Sequence, residues 1–170
     1  MNLEYRVEPL GASHDRSTFD CGVRELDHYF HNQAGQDARR KSAAPFVMLD
    51  RDGSIVGYYT LSAYGVQLPE FPEAIARKLP RYPVVPATML GRLAVSRTHQ
   101  GKSLGRLLLV DALYRSWRNT SEVGSVGVVV DALDERARAF YLHHEFVPLR
   151  NIANRLFRQM ATIEKAAKGR

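Results

Sequence analysis

One cysteine, Cys21, stands in 170 residues. A single thiol excludes an intramolecular disulfide and a cysteine-rich zinc site, and it fits a reducing compartment. No stretch reaches the roughly eighteen consecutive apolar residues of a membrane-spanning helix. Residues 1–9 alternate charge and hydrophobe without the apolar centre of a signal peptide, so the expected location is the cytoplasm. There is no internal repeat and no low-complexity tract. Gly101-Lys102-Ser103 ends like a P-loop, but the glycine that motif needs five residues before Gly101 is Ser96. Without it the wide anion nest of a nucleoside triphosphatase cannot form. No Gly-x-Ser-x-Gly of an esterase and no Gly-x-Gly-x-x-Gly of a dinucleotide fold is found. His28 and His31, and the adjacent His143 and His144, have no acidic or cysteine partner at ligand spacing, so no metal is expected.

What is present is the composition of a soluble globular chain: 45% hydrophobic and 25% charged. The length suits a single domain, placed at residues 1–160, with 161–170 a frayed tail. Lys plus Arg is 24 against 18 acids, a formal charge of +6, and 19 of the 24 are arginine. Arginine's planar fork matches phosphate, so the surface suits a phosphate-bearing partner. A charge of this size equally serves solubility alone.

Periodicity predicts a strand over 3–8 and a helix from Phe19 to Arg40 with Asp20 as N-cap and Leu26, Tyr29 and Phe30 inward. Strands over 45–50 and 55–66 flank the turn Arg51-Asp52-Gly53-Ser54. A proline-rich excursion, 69–86, holds a short helix at 72–79. A strand at 88–95, a helix at 103–118, a valine-rich strand at 126–130, a helix at 134–144 and strands at 146–149 and 155–160 follow. The order predicts an α/β (α+β) fold, a central mixed sheet flanked by helices.

The chemistry-bearing segment is Leu90-Gly91-Arg92-Leu93-Ala94-Val95 followed by Gln100-Gly101-Lys102-Ser103-Leu104-Gly105-Arg106. A strand runs through a glycine-bearing turn into a helix whose first N–H groups lack intrahelical acceptors, an arrangement suited to a pyrophosphate. Lys102 and Arg106 add positive charge. A plain strand-to-helix turn would have the same pattern. The segment resembles the acetyl-CoA-binding motif Arg/Gln-x-x-Gly-x-Gly/Ala of the GNAT superfamily of N-acetyltransferases. Gln100 and Gly105 match its ends and Ser103 replaces its middle glycine; a serine does not easily take the positive φ that a glycine offers. Phe19-Asp20-Cys21-Gly22, Val56-Gly57-Tyr58-Tyr59-Thr60-Leu61 and Ala139-Phe140-Tyr141-Leu142-His143-His144-Glu145-Phe146 extend the likeness over roughly 5–150. Together they resemble the GNAT toxins of toxin–antitoxin pairs, which acetylate the amino group of aminoacyl-tRNA.

The resemblance implies a GNAT acyltransferase fold and acetyl-CoA as the acetyl donor. The backbone of Leu93, Ala94 and Val95 would hold the pantetheine arm, and the segment Gln100, Gly101, Lys102, Ser103, Leu104, Gly105, Arg106 would hold the pyrophosphate. Tyr141 matches the family's general acid, whereas pattern alone puts it on a core face with Ala137, Phe140 and His144. It further implies an antitoxin of ribbon-helix-helix type, a homodimer, no membrane, and translation arrest. Arg39, Arg40, Arg77, Lys78, Arg81, Arg92 and Arg97 are candidates for contacting tRNA. The arginines at the end of the first helix equally suit its dipole. Two rival functions stand beside this one: a GNAT enzyme acting on another amine (a protein N-terminus or lysine, a polyamine, an antibiotic), and a GNAT-fold binding module without turnover, motivated by Ser103. No carboxylate is placed as a base on the strand before the motif, which favours an α-amine of pKa about 8 over a lysine of about 10.4.

Overall fold

A computed structural model describes residues 4–169. In chain order these are β1 (Arg6–Pro9), α1 (Arg24–Asn32), α2 (Ala34–Arg40), β2 (Ala44–Leu49), β3 (Ile55–Gln67), α3 (Glu73–Ala76), β4 (Val84–Val95), α4 (Leu104–Arg118), β5 (Gly127–Asp131), α5 (Glu135–His143), β6 (Val147–Pro148), β7 (Arg155–Gln159) and α6 (Met160–Lys168). The strands form a seven-stranded sheet in the order β1-β2-β3-β4-β5-β7-β6. The β4–β5 pair is parallel, whereas β1–β2, β2–β3, β5–β7 and β6–β7 are antiparallel, so the sheet is mixed, as the element order predicted. Residue 3 of the first expected strand and Arg170 of the expected tail lie outside the described residues. The chain divides into two compact units, Met1–Ser62 with Gly91–Ala112, and Ala63–Leu90 with Leu113–Arg170.

The first unit is organised by aromatic packing. Phe30 stacks on Tyr58 at 4.2 Å, and Phe19 meets both rings edge-on at 5.0 and 5.6 Å. Val47, Leu49 and Ala94 complete the cluster. Each aromatic ring of this kind contributes a large apolar area together with a preferred ring geometry. The expected single helix is two: Gln33, at φ −121°, separates α1 from α2, and Tyr29 Oη reaches past the break to donate to Asp37 Oδ2 at 2.8 Å. Asp20 does not cap α1. Gly22, at φ +89°, turns the chain first, and Asp20 Oδ1 accepts the Gly22 N–H instead, leaving Val23 as an N-cap without a side-chain bond. The β2–β3 turn is as predicted, with Asp50 Oδ1 accepting from the N–H groups of Asp52 and Ser54. A Cβ on Gly57 would stand 2.7 Å from Leu108 Cδ1 and 3.0 Å from the Ala94 carbonyl, so glycine allows α4 its close approach to β3.

The second unit packs Phe71 edge-on to Phe157 at 4.9 Å, with Val85, Val129 and Leu149 around them. β4 starts at Val84, four residues earlier than predicted. Pro86 is accommodated there by giving only its carbonyl, which accepts the Val126 N–H at 2.9 Å. The expected frayed tail is corrected: Met160–Lys168 form α6. Ile163 is 1% exposed, and the Met160 N–H donates to the Val126 carbonyl at 2.8 Å. The polar tail composition hid one buried anchor. Ile163→Ala is expected to lower unfolding stability by about 2–4 kcal/mol in denaturant titrations; an unchanged midpoint would mean that α6 contributes nothing to the fold.

Candidate active site

The end of β4, the loop after it and the start of α4 form a strand-loop-helix element inside the first unit. The Ser96 N–H still donates to the Val56 carbonyl at 2.8 Å, after which the chain leaves the ladder. Gln100 then fixes the loop: its Nε2 donates to the Val95 carbonyl at 3.1 Å and to the Cys21 carbonyl at 2.9 Å. A second tie runs beside it. The Arg97 N–H donates to the Asp20 carbonyl at 2.7 Å, and its guanidinium lies 3.3 Å from Asp20 Oδ1. The Gly22 N–H bond, helped by the Arg97 charge, holds the Asp20 carboxyl below the usual carboxylate range. The segment Phe19–Gly22 is therefore the buttress of this loop. That role was missed in the sequence, because nothing local links residues 19–22 to residues 95–100.

The loop backbone is unusual at two positions. Gly101 has φ +83° and Ser103 has φ +62°, both in the left-handed region. Ser103 thus adopts the conformation that the motif's glycine would supply, at a cost of about 1–2 kcal/mol for a residue bearing Cβ. The first intrahelical bond of α4 links the Leu107 N–H to the Ser103 carbonyl at 3.2 Å, so the N–H groups of Leu104, Gly105 and Arg106 precede it. Leu104 is 2% exposed and pins the helix start, while Gly101, Lys102, Ser103 and Arg106 face solvent. Left-handed residues alternating with others converge backbone N–H groups into an anion nest. Two flanking cations and an unobstructed Gly101, with no atom within 4 Å of where its Cβ would be, fit a diphosphate there. Before the loop, Ala94 points into the aromatic core, and Leu93 and Val95 are half-buried.

Tyr141 lies in the second unit, on α5. Asp134 caps this helix by accepting the Ala137 N–H at 2.8 Å, and Glu145, at φ +69°, closes it with the Phe146 N–H donating to the Tyr141 carbonyl. The ring is 7% exposed and packs edge-on against Phe140 at 5.2 Å and Phe146 at 5.3 Å. Burial alone pushes its phenol far above the ordinary tyrosine range. Among the described residues nothing hydrogen-bonds its hydroxyl. A phenol so placed stays protonated and keeps its proton uncommitted. Of the expected core face, Tyr141 is buried, whereas Ala137, Phe140 and His144 are half-exposed.

Cys21 offers no nucleophile: burial, and next the hydrogen bond with Asp27, push its thiol up to about 11. Arg92 lies with its guanidinium carbon 3.6 Å from the centre of the Tyr29 ring, a cation–π contact. Arg39, Arg40 and Arg97 are exposed in the first unit, and Arg77, Lys78 and Arg81 in the second. A further charged group went unread in the sequence. Arg155 is bidentate to Asp131 at 2.7 and 2.9 Å, donates to Tyr64 Oη at 2.6 Å, and stands 3.8 Å from Glu70 Oε1. These four residues come from 64, 70, 131 and 155, too far apart for any local pattern to show. Among the described residues no group of three or more His, Cys, Asp or Glu is placed to hold a metal, and no helix is long and apolar enough to cross a membrane.

The acetyltransferase (GNAT) family profile matches residues 9–146. A tRNA-acetylating toxin of Mycobacterium tuberculosis is 36% identical over 137 residues, covering 81% of each chain. A probable toxin TacT of Sinorhizobium fredii is 29% identical over 166 residues, covering 92% of each. Among solved structures, AtaT complexed with acetyl-methionyl-tRNAfMet superposes with a TM-score of 0.89 at 29% identity, over 96% of this chain and 99% of that one. A tyrosine-to-phenylalanine mutant of KacT gives 0.90 at 28%, over the same shares. AtaTR has also been solved with acetyl-CoA bound. The chain belongs to the GNAT acetyltransferase family.

Because the serine already holds the left-handed backbone, Ser103→Gly is expected to leave acetyl-CoA affinity within about threefold. It should also raise stability slightly, since about 1–2 kcal/mol of strain relief exceeds about 0.5–1 kcal/mol of added chain entropy. Calorimetry and thermal melting check both; a tenfold gain in affinity would show that Ser103 distorts the cradle.

Proposed function

We propose that this chain is an acetyl-CoA-dependent N-acetyltransferase acting on the α-amino group of an aminoacyl-tRNA, a toxin that blocks translation and is held in check by an antitoxin. The observation that carries the reading is the buttressed loop Gln100–Arg106, whose left-handed Gly101 and Ser103 lie exposed beside the exposed cations Lys102 and Arg106. The resemblance to tRNA-acetylating toxins supplies the substrate class. A ribbon-helix-helix antitoxin and a homodimer belong to the same reading. The substitution that motivated a binding module without turnover leaves the loop's conformation in place, so that alternative loses its ground.

In this mechanism the N–H groups from Gly101 to Arg106 hold the pyrophosphate, and the backbone of Leu93, Ala94 and Val95 pairs with the pantetheine arm as an added strand would. Bound acetyl-CoA supplies an activated acetyl group as a thioester. A backbone N–H of Leu93–Val95 stabilises the charge that develops on the carbonyl oxygen. Tyr141 delivers its hydroxyl proton to the departing thiolate. As the carbon–nitrogen bond forms and the carbon–sulfur bond breaks, the attacking amine releases its own proton to solvent. An α-amine is neutral often enough at neutral pH to need no carboxylate base, whereas a lysine ε-amine would need one. Exposed Arg39, Arg40, Arg77, Lys78, Arg81 and Arg97, with Arg92, contact the tRNA by its phosphates.

Tyr141→Phe is expected to lower kcat by about 10²-fold or more with acetyl-CoA affinity retained; a wild-type rate would remove Tyr141 from the chemistry. The pH profile follows from the raised phenol. Activity climbs as the amine deprotonates near pH 8 or below, and no falling limb appears before about pH 10, because the acid keeps its proton. A descending limb centred near pH 9 would contradict that. Acetyl transfer from radiolabelled acetyl-CoA should mark charged tRNA and spare uncharged tRNA. Equal labelling of both, or labelling of neither, would overturn the substrate assignment.

A further inference from the structure

Arg24, Asp27, His28, His31 and Asn32 recur on the face of α1 opposite Leu26, Tyr29 and Phe30, and with Gly22 and Arg97 they line an open cavity of about 390 Å³ in the first unit. On a sequence this stripe reads as an ordinary solvated helix face. Its hydrogen-bonding valences say more. Asp27 is the cavity's carboxylate, and its Oδ1 is directed at the Cys21 N–H, 2.9 Å away. His31 Nε2 donates to the Phe19 carbonyl at 2.8 Å. His28 Nδ1 receives the Asn32 amide at 3.2 Å, which leaves Nε2 to carry the ring proton outward as a donor. Arg24 has no hydrogen bond or ion pair among the described residues. Arg97 makes one 3.3 Å contact, to Asp20, and its side chain is 64% exposed. Beside the second oxygen of Asp27, what the cavity offers is donors, two guanidinium forks and an imidazole N–H, with two positive charges against one negative.

Two forks that offer donors and ask for acceptors match a phosphate, which has three or more acceptor oxygens and one or two negative charges. We propose that this cavity binds a phosphate group of one of the enzyme's nucleotide ligands, with Arg24, Arg97 and His28 as its donors. The inference rests on the proposed function for the identity of those ligands. The phosphate comes either from the RNA backbone or from the 3′-phosphate of coenzyme A, and the test separates them.

Arg24 is exposed and unpartnered among the described residues, so Arg24→Glu should fold with an unchanged melting temperature, and Arg24→Lys serves as the conservative control. In one arm, an uncharged CCA-ended RNA microhelix is titrated by fluorescence anisotropy over a salt series. In the other, CoA and 3′-dephospho-CoA are titrated calorimetrically. If the RNA is the source, Arg24→Glu weakens microhelix binding about tenfold and reduces the log–log salt slope by about one, while Lys largely restores both. If coenzyme A is the source, the wild type prefers CoA to its dephospho form by about tenfold, and Arg24→Glu abolishes that preference. Unaltered values in both arms overturn the proposal, as does a wild type that neither binds the RNA nor distinguishes the two coenzymes. Both arms are binding measurements. A failure to acetylate charged tRNA would therefore sink the proposed function without deciding the pocket.

Discussion

Everything proposed for this chain depends on how one loop is held. Between β4 and α4 the backbone passes through the left-handed region twice, at Gly101 and at Ser103, and the second passage is made by a residue that gains nothing from it. Strain of about 1–2 kcal/mol persists only where surrounding contacts over-determine the geometry. Here those contacts are visible: the Gln100 amide spans the Val95 and Cys21 carbonyls, Arg97 is tied twice to Asp20, and Leu104 is sunk in the core. The cradle is thus held by the chain's own contacts. Preformed donors cost no reorganisation when an anion arrives.

That arrangement explains why a motif residue can serve without touching the cofactor through its side chain. Gln100 was expected among the cofactor-binding residues, and its carboxamide is spent inside the protein; what it offers outward is a shaped backbone. The Phe19-Asp20-Cys21-Gly22 segment acts in the same indirect way. Its carbonyls and the Asp20 carboxylate receive donors from the loop, and Phe19 anchors it to Phe30 and Tyr58. Aromatic packing in the first unit and the geometry of the loop Gln100–Arg106 are therefore one structural problem.

Much of the architecture was legible because it is local. The strands over 45–50 and 55–66, the Arg51–Ser54 turn between them and the helix over 103–118 each depend on residues a few positions apart, and each appears close to where expected. The failures share a cause too. Asp20 seemed an N-cap because aspartate before an apolar run usually is one, but Gly22 and Arg97 claimed its geometry. Gln33 breaks the first helix, and Gly35 two residues on is a weak signal inside an otherwise helical run. The tail looked frayed because one buried isoleucine is a weak signal. Ser103 seemed a defect because propensity speaks for a residue in isolation, whereas the loop's buttresses decide its conformation. The Arg155 cluster and the α1 cavity needed three-dimensional assembly, since their members are distant in sequence or look like solvated surface.

The claim most open to direct attack is that the loop's backbone, already in place, binds a diphosphate. Titration calorimetry of the full chain with coenzyme A and with pantetheine, which lacks the diphosphate and nucleotide, measures it. The account predicts that coenzyme A binds at least about a hundredfold more tightly, roughly 2.7 kcal/mol, with a favourable enthalpy from charge-assisted hydrogen bonds. Equal affinities would mean that the strand alone holds the ligand and that Gly101–Arg106 is only a turn.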